Sequence, residues 1–200
     1  MQPDLSSDIR ERLEAYHALL LKWNPVINLV SKNTIADAWQ RHFVDSIQIE
    51  QYVPEKAKVY ADLGCGGGFP GLVVAIMRPD LDVHLIESDE RKGQFMRSVI
   101  REAGIGNTIV HTKRVEASTQ DIVPDFITAR ALAALDKLFD LCLPWAQQNA
   151  ALELCFMKGA RAKEEVEQAR QSYSFDLDIH NSITDVDARI LCIRNLAAVK

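Results

Sequence analysis

No two cysteines in this chain are spaced as C-x-x-C, and no histidine stands at zinc-ligand spacing from one. The four that exist, Cys65, Cys142, Cys155 and Cys192, are scattered. Cys142 and Cys155 fall in apolar stretches, which predicts small core residues in a reduced, metal-free protein. No apolar run approaches the roughly 20 residues that a membrane-spanning helix needs. The start, MQPDLSSDIRERLEAYHALLL, has no basic n-region or cleavage-like site and reads as part of the fold. An excess of positive charge is missing as well. With 23 Lys+Arg against 28 Asp+Glu, the net charge of −5 argues against bulk attraction to nucleic acid but leaves room for a basic face on an acidic body. These absences describe a cytoplasmic globular chain with neither membrane nor DNA as partner, and a monomer by default.

What is present divides in two. Ile9, Leu13, Tyr16, Leu20 and Trp23 recur at helical steps after Asp8 and Glu11, which have the spacing of a capping box. Pro25 is expected to end that helix near Trp23. Ile35, Trp39, Phe43 and Ile47, at steps of four, predict a second helix. Residues 1–55 therefore read as a helical lobe. Over residues 56–200, strand patterns such as KVYADLG, DVHLIES, NTIVHT, DFITARA and ALELCFMKG alternate with helical ones. That order predicts an α/β domain, a mostly parallel sheet of seven strands covered on both faces. SFDLDIHNS and ARILCIRN follow with no helix between them, so a C-terminal antiparallel hairpin is expected.

Five of the nine glycines lie between Gly64 and Gly71, directly after the first strand. A strand, a glycine loop and a helix in this order bring backbone N–H groups to the carboxyl edge of the sheet, where open α/β folds bind ligands. Gly66, Gly68 and Gly71 satisfy G-x-G-x-x-G, which alone is weak. No G-x-x-x-x-G-K occurs, which removes a P-loop. Asp62, two residues before Gly64, is expected to aim a carboxylate into the cleft, repelling a pyrophosphate and suiting an ammonium group. Pro70 removes one anion-binding donor from the first turn of the helix. Glu87, about 20 residues on at the end of the second strand, suits ribose hydroxyls. An adenosine cofactor that carries an amino acid, S-adenosyl-L-methionine, fits these features best.

The stretches WNPVINLVS, RHFVDSI, DLGCGGGFPG, KRVE, ITARALA and the late MKG together resemble the glucose-inhibited division protein B family, the bacterial small-subunit ribosomal RNA guanine-N7 methyltransferases. The resemblance runs from the first helix to the last strand. It implies a Rossmann-like class I S-adenosylmethionine-dependent methyltransferase domain with an N-terminal helical extension. It also implies 16S rRNA as substrate, in the small ribosomal subunit or its assembly intermediate, at the family position guanine 527. Carried over, its cofactor contacts fall on Gly64, Phe69, Val115, Glu116 and Arg130. Ala129 departs from the Ser that relatives often have before that Arg.

Guanine N7 has a free lone pair, so no proton need leave and no catalytic base is obligatory. The Asn/Asp-Pro-Pro-aromatic signature of amino methylation and the Pro-Cys of cytosine C5 methylation are both missing. If N7 attacks, O6 remains as a handle for Arg or Lys. Arg114, Arg130 and Lys158, at the ends of strands three to five, are the candidates to guide guanine or its phosphates, with Arg41 as a further RNA contact from the lobe. Asn28 and His42 are polar candidates for positioning substrate, and the lobe is expected to overhang the cleft. Trp39 or Phe69 could stack the target base. A class I methyltransferase acting on another RNA, a protein or a small molecule stays open at this point, as does a non-catalytic nucleotide sensor.

Overall fold

A computed structural model describes residues 5–199. Strands β1 (Val59–Leu63), β2 (Asp82–Glu87), β3 (Thr108–Thr112), β4 (Phe126–Arg130), β5 (Glu153–Lys158), β6 (Tyr173–Asn181) and β7 (Arg189–Ala198) form one sheet in the order β3-β2-β1-β4-β5-β7-β6. The five strands from β3 to β5 pair in parallel, while β7 runs antiparallel to both β5 and β6. This is the expected mostly parallel sheet with a terminal antiparallel hairpin. The strand order reverses between β1 and β4, so their carboxyl ends open a crevice there.

Alternate residues of β1 serve opposite faces, as strand geometry demands. Tyr60 joins a core shared with α1 (Ser7–Ile27), α3 (Gly71–Met77) and α4 (Glu90–Glu102). Ala61 and Leu63 join the opposite core, under α5 (Leu135–Gln148) and α6 (Ala162–Ala169). The N-terminal segment packs on the first face, where Leu13, Tyr16, Leu20 and Phe43 are fully buried in the core that holds Phe69 and Phe95.

The lobe differs from its sequence pattern at three points. The N-cap of α1 is Ser6, whose Oγ accepts from the Ile9 N–H, so Asp8 lies within the first turn. Pro25 does not stop the helix at Trp23. Burial of Asn24 and Ile27 carries it two residues past the proline, about one turn beyond Trp23, and it ends where Asn28 adopts a left-handed conformation (φ 46°). The second helix is irregular: a 3₁₀ stretch (Lys32–Asp37), a π-helical turn (Trp39–Val44), α2 (Asp45–Ile47) and a 3₁₀ turn (Glu50–Tyr52). Phe43 stays in the core, while Arg41, His42 and Asp45 border the crevice.

Tyr16 links this lobe to the glycine loop, its hydroxyl donating to the buried carbonyl of Gly67 and its ring stacking on Phe69 at 5.1 Å. Replacing Tyr16 by Phe keeps the stack and leaves that carbonyl without its donor, a loss of about 1–3 kcal/mol. Thermal unfolding should register it as a fall in Tm of about 2–4 °C per kcal/mol, and an unchanged Tm would show the bond to be dispensable.

Candidate active site

The carboxyl edge of the sheet carries two adjoining cavities. The first, of about 650 Å³, is walled by the glycine loop, Glu87, the Lys113–Glu116 segment and the lobe residues Val30, Thr34, His42 and Asp45. The second, of about 680 Å³, lies over β5 and the β6–β7 loop. Arg41, Asp45, Arg130, Ala131 and Leu132 border both. Together the two cavities are bordered by eight Arg or Lys and five Asp or Glu. A chain with net charge −5 thus places a local positive excess at this mouth.

The glycine loop is shaped from below. Asp62 is fully buried; its Oδ2 accepts from the Gly71 N–H at 2.8 Å and its Oδ1 from the Thr128 hydroxyl at 2.9 Å. It therefore ties β1 to the start of α3 and to β4, and it does not face the cleft as its position beside the loop led us to expect. A strand alternates its side chains, and position 62 points into the α3 face, where a Cβ on Gly71 would stand 2.8 Å from its oxygen. Burial raises its pKa to about 7, and the two hydrogen bonds only partly offset this. Gly68 likewise turns away from the cavity: at φ +92° its missing side chain leaves room for Leu72 and the Tyr16 hydroxyl. Gly64 (φ +61°) lies so close to Leu132 that an added Cβ would meet it at 2.4 Å. Gly66 (φ +56°) donates its N–H to Glu87 Oε2 at 3.0 Å.

Glu87 borders the cavity, with Oε1 accepting from the Asp89 N–H at 2.9 Å. Each of its oxygens retains a lone pair for a hydroxyl. Val115 and Glu116 border the cavity from the β3 side, with Val115 buried and Glu116 exposed. Arg130 sits at the junction. Its guanidinium lies 5.0 Å above the centre of the Phe69 ring, 3.3 Å from Asp45 Oδ2 and 3.4 Å from the Arg41 carbonyl. Phe69 is thus enclosed between Tyr16 and Arg130, which leaves no face for a base. Trp39, stacked on Phe43 at 5.1 Å, borders neither cavity.

The other candidates divide. Arg114 is exposed on the first cavity and has no carboxylate partner among the described residues. Arg41 pairs with Asp185 at 3.1 Å, on the loop between β6 and β7. Lys158 is buried on the second cavity, with Nζ 2.6 Å from Glu165 and donating to the Ala133 carbonyl at 2.7 Å. His42 meets the Thr34 hydroxyl at 2.8 Å, and burial followed by Arg130 and Arg41 pushes its pKa down to about 3. Asn28 borders neither cavity: its left-handed backbone caps α1, and the neighbouring Asn24 makes the local bond, accepting from the Val30 N–H at 2.9 Å.

Asp45 acquires a role that sequence reading did not give it. Besides Arg130 it accepts from Thr184 Oγ1 at 2.5 Å and Gln48 Nε2 at 2.9 Å, joining the lobe to the β6–β7 loop. The i,i+4 spacing from Arg41 points to a pair with that arginine, which instead meets Asp185, so nothing in the local sequence signalled this role.

A model of one family, described as rRNA small subunit methyltransferase G, matches residues 9–196. The protein of that name from Parvibaculum lavamentivorans is 43% identical over 198 residues, covering 96% of this chain and 86% of its own. The one from Paracoccus denitrificans is also 43% identical, covering 93% of this chain and 95% of its own. This chain belongs to the rRNA small subunit methyltransferase G family. Solved structures share its fold at low identity. A mutant of MtNAS in complex with S-adenosylmethionine superposes with TM-score 0.62 at 9% identity, covering 94% of this chain and 72% of that one. An rRNA methylase from Streptococcus thermophilus does so with TM-score 0.55 at 13% identity, covering 76% and 95%. Among the described residues of this family member, no helix is long and apolar enough to cross a membrane, and no group of His, Cys, Asp and Glu could hold a metal ion.

The raised pKa of Asp62 sets a pH dependence of stability. Because the folded carboxyl holds its proton up to about pH 7 and the unfolded one releases it near 3.8, the native state binds more protons between these values. Stability from this group is full below about pH 4 and lost as pH rises through 7. Asp62→Asn cannot ionise, and its Oδ1 can accept from the Gly71 N–H while its Nδ2 donates to Thr128 Oγ1, whose own proton turns to the Tyr60 hydroxyl. The Tm of Asp62→Asn relative to wild type should therefore climb between pH 5 and pH 8, and a constant difference would contradict the assignment.

Proposed function

We propose that this protein transfers a methyl group from S-adenosyl-L-methionine to N7 of a guanine in 16S ribosomal RNA, at the position corresponding to guanine 527. The observation that carries this reading is the pair of cavities meeting at Arg130 and Asp45: one bordered by a glycine loop and an acidic strand end, the other basic. Bound S-adenosyl-L-methionine supplies an electrophilic methyl on a sulfonium. Glu87 would hold its ribose hydroxyls, Val115 and Glu116 would bracket its adenine, and the bare backbone of Gly64 and Gly66 would admit its amino-acid end. A first cavity of about 650 Å³ is within the range of cofactor sites.

The chain's own contribution is placement. In-line transfer to a lone pair gains most of its rate from holding the two reacting atoms in contact and aligned. Arg130 is fixed from three sides, so a base resting against it meets a rigid wall. No proton has to be taken up, which agrees with a His42 that stays neutral and bonded to Thr34 and an Asp62 sealed beneath the loop. The local cationic excess at the mouth supports a polyanionic substrate despite the acidic whole, and Arg114 and Arg41 would meet its phosphates.

The deciding experiment incubates the protein with labelled S-adenosyl-L-methionine and small ribosomal subunits from cells that lack it, then analyses nucleosides. New 7-methylguanosine in 16S rRNA is expected. Cofactor binding without transfer would move the substrate to a protein, a small molecule or another RNA. In the same assay Arg114→Ala should raise KM for subunits with kcat retained, and lower the salt dependence of binding by about one unit of the log–log slope. An unchanged salt slope would remove Arg114 from the RNA contact.

A further inference from the structure

The second cavity holds a feature that methyl transfer alone does not require. At its wall the Lys158 ammonium and the Leu135 N–H both converge on one oxygen of Glu165, Oε2, at 2.6 and 2.9 Å. The other oxygen, Oε1, takes no hydrogen bond among the described residues, although the Glu165 side chain is only 17% exposed and borders the cavity. A largely enclosed carboxylate with one oxygen oriented by a lysine and the other free on the cavity side is a prepared acceptor.

We propose that this cavity receives the target base and that Glu165 is a specificity-determining residue that selects guanine through Oε1; this rests on the function proposed above. Guanine alone among the RNA bases presents adjacent donors, N1–H and the N2 amine, on its Watson–Crick edge. Adenine and cytosine place an acceptor at the ring nitrogen, and uracil flanks its N–H with two carbonyls, so each would meet the carboxylate with repulsion. Guanine bound by that edge points its opposite end, with N7, back toward the wall shared with the first cavity, where Arg130 and Asp45 stand. Arg161 and Arg189, on the same cavity, are available to the flanking phosphates.

The arrangement also favours the reaction. As methyl leaves sulfur for N7, the positive charge passes from the sulfonium to the base and no proton moves. N1–H becomes a stronger donor as that charge grows on the base, so the bond to Oε1 tightens toward the transition state.

Binding of GMP and of IMP, which lacks the N2 amine, is measured by calorimetry on protein saturated with S-adenosylhomocysteine. Wild type should prefer GMP about ten- to a hundredfold, the range of a hydrogen bond to a charged group. In Glu165→Gln the amide oxygen is held by Lys158 and Leu135, which turns the NH₂ toward the cavity and presents a donor to two donors. The GMP preference should fall to about one or below, while affinity for S-adenosylhomocysteine is retained. Equal binding of GMP and IMP to wild type, no binding of GMP, or a preference that survives Glu165→Gln would overturn the role of Glu165. Should Glu165→Gln lose S-adenosylhomocysteine and so prove unfolded, the wild-type ratio decides alone. The subunit assay separates the two levels: 7-methylguanosine formed without a GMP preference refutes only this inference, whereas no 7-methylguanosine refutes the proposed function itself.

Discussion

Everything at the cleft hangs from a carboxylate that never reaches it. Asp62 holds the first N–H of α3 with one oxygen and the hydroxyl of Thr128 with the other, and so fixes three elements relative to one another: the end of β1, the start of α3 and the middle of β4. Thr128 in turn meets the Tyr60 hydroxyl at 2.6 Å. Inside the protein such a chain of hydrogen bonds is strong because water does not compete, and an unsatisfied member would be correspondingly costly. The loop between Asp62 and Gly71 has both ends clamped by this network and its centre held by Tyr16. Only then can five glycines, each expensive to order, keep one shape.

On this frame the two sides of the site are built by different means. The floor, from Gly64 to Glu87, is mainly backbone, and its one acid is held by two N–H groups. The mouth is made of side chains in opposed pairs: Arg41 with Asp185, Arg130 with Asp45 and Lys158 with Glu165. Pairing keeps long cationic side chains in place at the expense of some attraction for phosphate. Arg114 has no such partner among the described residues and stays exposed.

The alternation of strands and helices was legible because each element follows its own period, and the glycine loop because nothing else in the chain resembles it. The side on which Asp62 lies was not, since motif spacing does not say which face of β1 packs on α3. The continuation of α1 past Pro25 was hidden for a similar reason. Proline disfavours helix locally, but the burial of Ile27 is decided by elements far away in sequence. Lys158 was legible as a candidate, but its partner Glu165 lies on α6 among charges of both signs, a pattern that does not say which of them turns inward to the strand end. Side chains that meet across more than 130 residues, as Gln48 does with Ser182, leave no mark in either segment alone.

Those last contacts have a bearing on how the protein is made. Gln48 and Asp45 are translated more than 130 residues before Ser182, Ile183 and Thr184, which they hold. The glycine loop and its bracing strand β4 can assemble well before then. A growing chain would thus own the floor of its cleft while still lacking one wall of its mouth, and that wall closes only as the β6–β7 hairpin folds against a segment made long before it.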